Sequence, residues 1–301
     1  MQQSGTLTPP SRIKVWVMAA RLPTLPAAIA PVLVGTAAGV AAGAFRPLPF
    51  LAALVAAVLI QIGTNYANDL SDFHRGADTA QRLGPVRVTQ RGLVTPEQMK
   101  RATILTFSAA ALVGLYLVMV GGWPILVIGL LSILCGWAYT GGPWPFGYHG
   151  LGDLFVFIFF GVIAVTGSAY LQSGTVDALS LAVSVPVGLL VTNILVINNL
   201  RDIDTDRAAG KRTLAVRIGA RASRIQYALF AFVAYLVPLL LWLTGAASAW
   251  VLLSWLSLPL GIALVRTTLG GATGTALNPI LKRTSQLHLL FGALLALGLL
   301  L

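Results

Sequence analysis

Nine stretches of this chain stay apolar for about the 20 residues that a helix needs to cross a bilayer. They fall near 22–42, 48–68, 102–120, 123–140, 152–172, 178–198, 225–244, 246–265 and 285–301. No soluble domain can hide so many apolar segments, because a hydrated surface takes about a quarter of its residues from the charged set. Here 10% of the 301 residues are charged and 57% are hydrophobic, so lipid must cover most of the surface. The pairs 102–140 and 225–265 each divide at a small-residue turn, Gly121-Gly122 and Gly245-Ala246. The expected fold is therefore an all-α integral membrane bundle of nine transmembrane helices. It forms one domain over residues 1–301, with residues 1–14 as a flexible tail. The polar start Met1–Ser11 lacks the compact apolar core of a cleaved signal peptide.

Charge placement supports the span count. An odd number of spans puts the termini on opposite sides. With the N-terminus in the cytoplasm, the inner segments are 1–21, 69–101, 141–151, 199–224 and 266–284. These hold 19 of the 20 Lys and Arg residues and leave only Arg46 outside, the asymmetry that the positive-inside rule describes. The net charge of +11 is thus topological, and nucleic-acid binding is rejected. The expected location is the cell inner (plasma) membrane. The single cysteine, Cys135, excludes an internal disulfide and reads as a buried structural thiol. His74, His149 and His288 lie far apart and show no zinc spacing.

The acidic residues carry the functional signal. Eight of nine fall on the same inner face, with Asp177 alone outside. A carboxylate at a span end is costly and is functional by default. One cluster closes the second span. Asn65, Asn68, Asp69 and Asp72 stand at i, i+3, i+4 and i+7, one stripe of a helix; Gly76 then lets the chain turn so that Asp78 can return. The other closes the sixth span, where Asn198, Asp202 and Asp206 share a stripe while Asp204 points away into solvent. Both contain Asn-x-x-x-Asp (Asn68/Asp72 and Asn198/Asp202), a weak parallel repeat four spans apart. Capping and hydration of span ends explain a single Asp well, but not two matched stripes with asparagine partners. Hard divalent cations take oxygen ligands, and Mg²⁺ usually combines one or two carboxylates with substrate phosphates. Two facing stripes thus predict a Mg²⁺-bound diphosphate held between them. Arg21, Arg75, Arg82, Arg87, Arg91, Lys211 and Arg212 are the basic residues near enough in sequence to meet the anion, although topology alone also explains most of them.

Asn-Asp-x-x-Asp plus Asp-x-x-x-Asp at inner helix ends resembles the UbiA superfamily of intramembrane prenyltransferases. The stretches NYANDLSDFHRGADT, GPVRVTQRGLVTPEQMKRA, AYTGGPWPFGYHGLGDLFVFIFFG, NNLRDIDTDRAAGKRTLAVRIG and RLPTLPAAIAPVLVGT resemble, within it, the 1,4-dihydroxy-2-naphthoate prenyltransferases of menaquinone synthesis. The resemblance runs from about Arg21 to Gly219. It implies a bundle around a central cavity capped by the inner loops, a polyprenyl diphosphate donor, Mg²⁺, and a demethylmenaquinone-type product. By motif position Asn68, Asp69 and Asp72 match the first diphosphate–metal site, and Asp202 and Asp206 the second. Some relatives carry Tyr-x-x-x-Lys after the fourth span. Here Tyr139 is followed at that spacing by Pro143, which leaves Lys211 or an arginine to contact the diphosphate.

The expected reaction is ionisation of the allylic C–O bond, attack by the electron-rich ring carbon of 1,4-dihydroxy-2-naphthoate, and loss of CO₂. Asp72 and Asp206 are the expected catalytic acids, with Asp153 as candidate base for the ring hydroxyl. Asp153 fits equally well as a charge near the start of a helix, where the dipole favours it. Asn68, Arg21, Lys211, Arg212, Tyr139 and Asn198 are the expected substrate contacts. Trp137, Tyr139, Trp144, Phe146 and Tyr148 fit an acceptor-pocket wall and an interfacial belt alike. The Gly/Ala-rich helix 27–43 fits a lipid-open groove for the donor tail, and close helix packing. Other acceptors, 4-hydroxybenzoate or homogentisate, fit the same site. A transporter would carry its acids nearer mid-membrane, and a CDP-alcohol phosphatidyltransferase would need one continuous Asp-Gly-rich motif, which is absent.

Overall fold

Prolines open most of the long helices, because the first helical turn needs no backbone N–H and a proline ring pre-sets its φ. Pro26, Pro47 and Pro96 are first residues, while Pro124 and Pro259 are second ones. The computed structural model describes residues 10–43, 45–76 and 83–301. Its helices, in chain order, are α1 (Arg12–Ala20), α2 (Pro26–Ala41), α3 (Pro47–His74), α4 (Pro96–Gly121) and α5 (Trp123–Ala138). There follow α6 (Gly152–Val156), a π-helical stretch (Phe157–Ile163), α7 (Ala164–Ser173), α8 (Ala178–Arg201) and α9 (Ile203–Ala208). Last come α10 (Leu214–Leu243), a 3₁₀ run (Ala249–Ser257) leading into α11 (Leu258–Leu269), and α12 (Leu277–Leu300).

The chain is a multi-pass membrane protein, but the nine expected crossings are not all of spanning length. Among the described residues seven helices are long and apolar enough to cross, and an eighth counts if the bent pair Arg12–Thr24 and Pro26–Ala41 is one span. The first expected window breaks because Leu22–Thr24 form a 3₁₀ turn before Pro26 and the pair bends by 51°. The fourth shortens to the 16 residues of α5 because the chain turns at Gly141 and Gly142. Residues 1–9 of the expected tail lie outside the described residues; after them Ser11 accepts a bond from the Lys14 N–H and starts α1, so Arg12–Lys14 are helical. Asp177, the one acid expected outside, caps α8 reciprocally with Ser180.

Burial sorts the helices by position. In α8, 78% of the apolar window is buried, against 11% in α4, so α8 is the central strut and α4 faces lipid. Close packing around α8 and α2 rests on small residues. A Cβ at Gly35 would stand 2.1 Å from the Val165 carbonyl of α7, and one at Gly161 would stand 2.5 Å from the Gly188 Cα of α8. Gly35 and Gly39 therefore serve helix contact, while Ala28 and Val32 of the same stretch border apolar space. That space opens between α2, α3, α4, α5 and α7, where Cys135 is half-buried rather than fully buried. Gly35→Leu is expected to lose folded, monodisperse protein, since the obstacle is backbone. Gly129→Leu, with nothing within 4 Å of a Cβ, should leave the detergent melting temperature within a few degrees.

Candidate functional site

Each acidic stripe ends a long helix, and the fold brings both to one cavity of about 220 Å³. Its wall includes Asn68 and Asp72 from α3, and Asn198, Asp202 and Asp206 from the α8–α9 corner. Tyr139, Lys211 and Arg21 line it as well. The helix expected to run through Asp206 breaks at Asp202, whose backbone leaves helical geometry. A bond from the Asp206 N–H to the Asp202 carbonyl (2.7 Å) keeps the two acids on one side.

Inside the bundle the carboxylates are compensated by the chain's own cations. Asp72, 1% exposed, accepts Arg87 Nη2 at 2.5 Å on one oxygen. Its other oxygen takes the Tyr148 hydroxyl at 2.5 Å and Lys211 Nζ at 3.3 Å. The Lys211 ammonium lies 4.6 Å from the centre of the Tyr148 ring, close enough for a cation–π contact. Asp202 is gripped on both oxygens by Arg201, at 2.8 and 2.5 Å. Arg201 also donates to Asn198 (2.9 Å) and to Asn278 of α12 (3.0 Å), and Asn278 donates in turn to the Leu83 carbonyl. Gly84 has to be glycine for this grip, since a Cβ there would stand 2.5 Å from Arg201 Nη2. Asn68 accepts from Thr140 at 2.7 Å, which ties the end of α3 to the turn after α5.

Three expected site residues lie elsewhere. Asp69 turns from the cavity and accepts the backbone N–H groups of Val88 and Thr89, both at 3.2 Å, so it organises the loop that carries Arg87. On a helix, the side chain next to Asn68 points about 100° away from it, which is why the adjacent acids separate. Asp153 is buried beside α10, accepts Gln226 Nε2 at 2.7 Å, and is not in the cavity wall. The Arg212 side chain is exposed; its backbone N–H donates to the Tyr148 carbonyl and its own carbonyl accepts from Arg217 Nε. Asp204 is exposed and pairs with Arg207, as expected. Asp78 and Arg82 lie outside the described residues. Among the aromatics, Tyr139, Phe146 and Tyr148 line cavities, whereas Trp137 and Trp144 are exposed.

The sequence reading overlooked Arg201, Asn278, Thr140 and Gln61. An arginine beside a charged stripe looks like topology, and a lone glutamine in an apolar run carries no spacing signal; only Arg201's adjacency to Asp202 hinted at a pair. The cavity also forks. Thr64, Tyr139, Val156 and Phe160 are shared with an apolar cavity of about 130 Å³, which in turn shares Ala57, Ile60 and Phe159 with a further apolar one of about 240 Å³. The π stretch places Phe159 and Phe160 on these walls, in keeping with the frequency of such bulges at functional sites. Removing Arg201 would leave Asp202 buried and unpaired. Arg201→Met should therefore destabilise the fold by about 3–5 kcal/mol, and Asn278→Ala by less; unfolding titrations in mixed micelles compare them.

Residues 28–276 match the UbiA prenyltransferase family. The chain is 40% identical over 294 residues to the 1,4-dihydroxy-2-naphthoate octaprenyltransferase of Escherichia coli, covering 96% of both chains. It is 41% identical over 281 residues to that of Mycobacterium tuberculosis, covering 93% of this chain and 95% of the relative. Two solved folds superpose at low identity. One is a UbiA homolog from Archaeoglobus fulgidus bound to GPP and Mg²⁺ (TM-score 0.67, 14% identity, 95% of this chain and 99% of that one). The other is an apo UbiA homolog from Aeropyrum pernix K1 (TM-score 0.69, 16% identity, 95% and 98%).

Proposed function

The chain belongs to the UbiA prenyltransferase family and is a membrane-embedded prenyltransferase, and from that premise we propose that it transfers a polyprenyl chain from its diphosphate to 1,4-dihydroxy-2-naphthoate, with loss of CO₂. The observation that carries the reading is the single cavity in which two asparagine–aspartate helix ends meet Lys211 and Arg87, with an apolar extension opening from its wall. A diphosphate head and a prenyl tail need just such a division. The names of the relatives at 40 and 41% identity support the naphthoate acceptor.

Asp72, Asp202, Asp206, Asn68 and Asn198 offer oxygen donors alone, the set a hard divalent cation takes. No three His, Cys, Asp or Glu side chains among the described residues stand close enough to hold a metal by themselves. Mg²⁺ would therefore be completed by substrate phosphates, with one or two carboxylates per ion drawn from Asp72, Asp202 and Asp206. When bound, the ion supplies Lewis acidity that draws charge from the departing diphosphate. The solved relative described with GPP and Mg²⁺ supports the pairing.

The chain's own residues do the rest. Lys211 and Arg87 stand on Asp72 and are placed to follow the negative charge onto the diphosphate as it takes the C–O bonding pair. Tyr139 and Phe160, at the fork, present ring faces where the allylic cation forms. The apolar arm holds the tail and keeps water from the cation. The ring carbon bearing the carboxylate supplies the pair for the new C–C bond, and departure of CO₂ returns a pair to the ring. The tail's route along α3 from Asn68 to Ala53 is about 22 Å at 1.5 Å per residue, so the remainder of a long prenyl chain lies in lipid. The charge asymmetry supports an N-terminus and an active site facing the cytoplasm, in the plasma membrane.

Product mass spectrometry on the purified protein tests this reading. With Mg²⁺, a polyprenyl diphosphate and dihydroxynaphthoate, the expected product is a prenylated naphthoquinol without the carboxylate. A prenylated 4-hydroxybenzoate that retains its carboxylate would move the acceptor and keep the fold. Asp72→Asn and Asp206→Asn are each expected to lower turnover by at least about 100-fold while the protein elutes as folded; unimpaired turnover would remove the metal assignment.

A further inference from the structure

Gln61 lies in the polar branch of the cavity, away from the fork that the apolar tail takes. It stands on α3 two turns before Asn68, or about 10 Å deeper in the bundle at 1.5 Å per residue. The side chain is 8% exposed and lines the cavity. Its Nε2 donates to Thr24 Oγ1 at 3.1 Å, and its Oε1 has no hydrogen-bond partner. A buried amide oxygen left without a donor is destabilising, so its retention on a cavity wall needs an explanation.

Proton counting fixes which end of the amide is free. Thr24 has one hydroxyl proton, and it goes to the Arg21 carbonyl at 2.9 Å. Its oxygen then accepts twice, from Gln61 Nε2 (3.1 Å) and from Asn65 Nδ2 (3.0 Å). Asn65 Nδ2 also donates to the Ala20 carbonyl at 2.9 Å. Flipping the Gln61 amide would set its oxygen against a Thr24 hydroxyl whose proton is already committed. The clamp thus holds Oε1 as an acceptor.

The clamp depends on backbone strain. Arg21 is the one non-glycine residue with positive φ among those described (φ 52°), a conformation that strains a residue carrying a Cβ. This bend lets the Arg21 carbonyl take the Thr24 proton, and the Arg21 side chain lines the same cavity. A fixed hydrogen-bond acceptor with a guanidinium on a shared wall suits a small aromatic that carries both an O–H donor and a carboxylate.

We propose that Gln61 Oε1, locked by Thr24 and Asn65, receives a ring hydroxyl of the aromatic acceptor and thereby selects hydroxylated acceptors, with Arg21 on the side of the carboxylate. This rests on the prenyl-transfer reading above and adds a specificity-determining residue to it. Among the described residues Gln61 hydrogen-bonds to Thr24 and to no aspartate of the stripes, so its loss should fall on the acceptor and spare the donor. A site built to bond a hydroxyl discriminates strongly against an analogue that lacks it.

Equilibrium binding without donor tests it, using 1,4-dihydroxy-2-naphthoate and the two analogues that each lack one ring hydroxyl. Gln61→Met keeps the length and removes the acceptor atom. It is expected to weaken binding of the dihydroxy compound by about 10- to 100-fold. It should leave unchanged the binding of the analogue that lacks the contacted hydroxyl, and the KM for the prenyl diphosphate should stay within about twofold. Equal affinity of wild type and variant for all three ligands would overturn the assignment, as would a loss confined to the donor. If Gln61→Met does not fold, Thr24→Val decides: releasing the clamp should weaken the same ligand, to a smaller extent, and an unchanged affinity would sink the proposal. If the wild type binds no naphthoate, the acceptor reading fails by itself. The comparison then passes to 4-hydroxybenzoate against benzoate, where loss of discrimination in Gln61→Met supports the role of Gln61 and retained discrimination removes it.

Discussion

Buried charge at the helix ends is the constraint on which the architecture depends. A carboxylate held away from water is tolerated only with a hydrogen-bonded counter-charge, and each stripe has one built in. Asp72 is held by Arg87, Lys211 and Tyr148, which come from three separate loop segments. Asp202 is held by its neighbour Arg201, which is anchored in turn through Asn278 of α12 to the Leu83 carbonyl. The loops between helices are consequently not free connections. They are the counter-ions of the acidic stripes, and they close one end of the bundle because the acids require them there.

The two halves differ in how exchangeable that compensation is. Arg201 gives Asp202 a two-oxygen grip within a network of asparagines and is 98% or more buried, so it reads as fixed structure. Lys211 reaches Asp72 at a looser 3.3 Å with its ammonium over a tyrosine ring, a point charge on a flexible stem. Arg87, by contrast, meets Asp72 at 2.5 Å and is buried, so Lys211 is the cation that a diphosphate bound as proposed would draw away most readily.

Below the charged layer the cavity separates by polarity. On α3, Gln61 and Asn65 bond to Thr24 at the bend, while Thr64, Ile60 and Ala57 line the apolar cavity with the phenylalanines of the π stretch. One helix thus presents a polar stripe to one space and an apolar stripe to another, and both spaces meet at the level of Tyr139. In the proposed reaction a tail and an aromatic acid would approach from different sides and meet at the wall shared by Thr64, Tyr139, Val156 and Phe160.

Most span positions and the two acidic stripes were legible in the chain, since lipid tolerates few charges and the 3.6-residue period fixes which side chains share a face; the count of nine was not, because among the described residues seven helices, or eight with the bent pair, are of crossing length. The same period identified Asp204 as solvated and Asn198, Asp202 and Asp206 as companions. Family motifs added the chemistry that those stripes serve. What the sequence alone could not decide was which polar atoms are already taken. Asp69 and Asp72 look alike in a motif, yet backbone N–H groups of the 88–89 turn claim one and not the other. Asp153 turns to a glutamine 73 residues away, and Gln61 acquires a role only because a strained arginine bends the chain so that Thr24 meets it. Those outcomes depend on hydrogen bonds between segments far apart in the chain, and only packing the helices together decides which donors and acceptors meet.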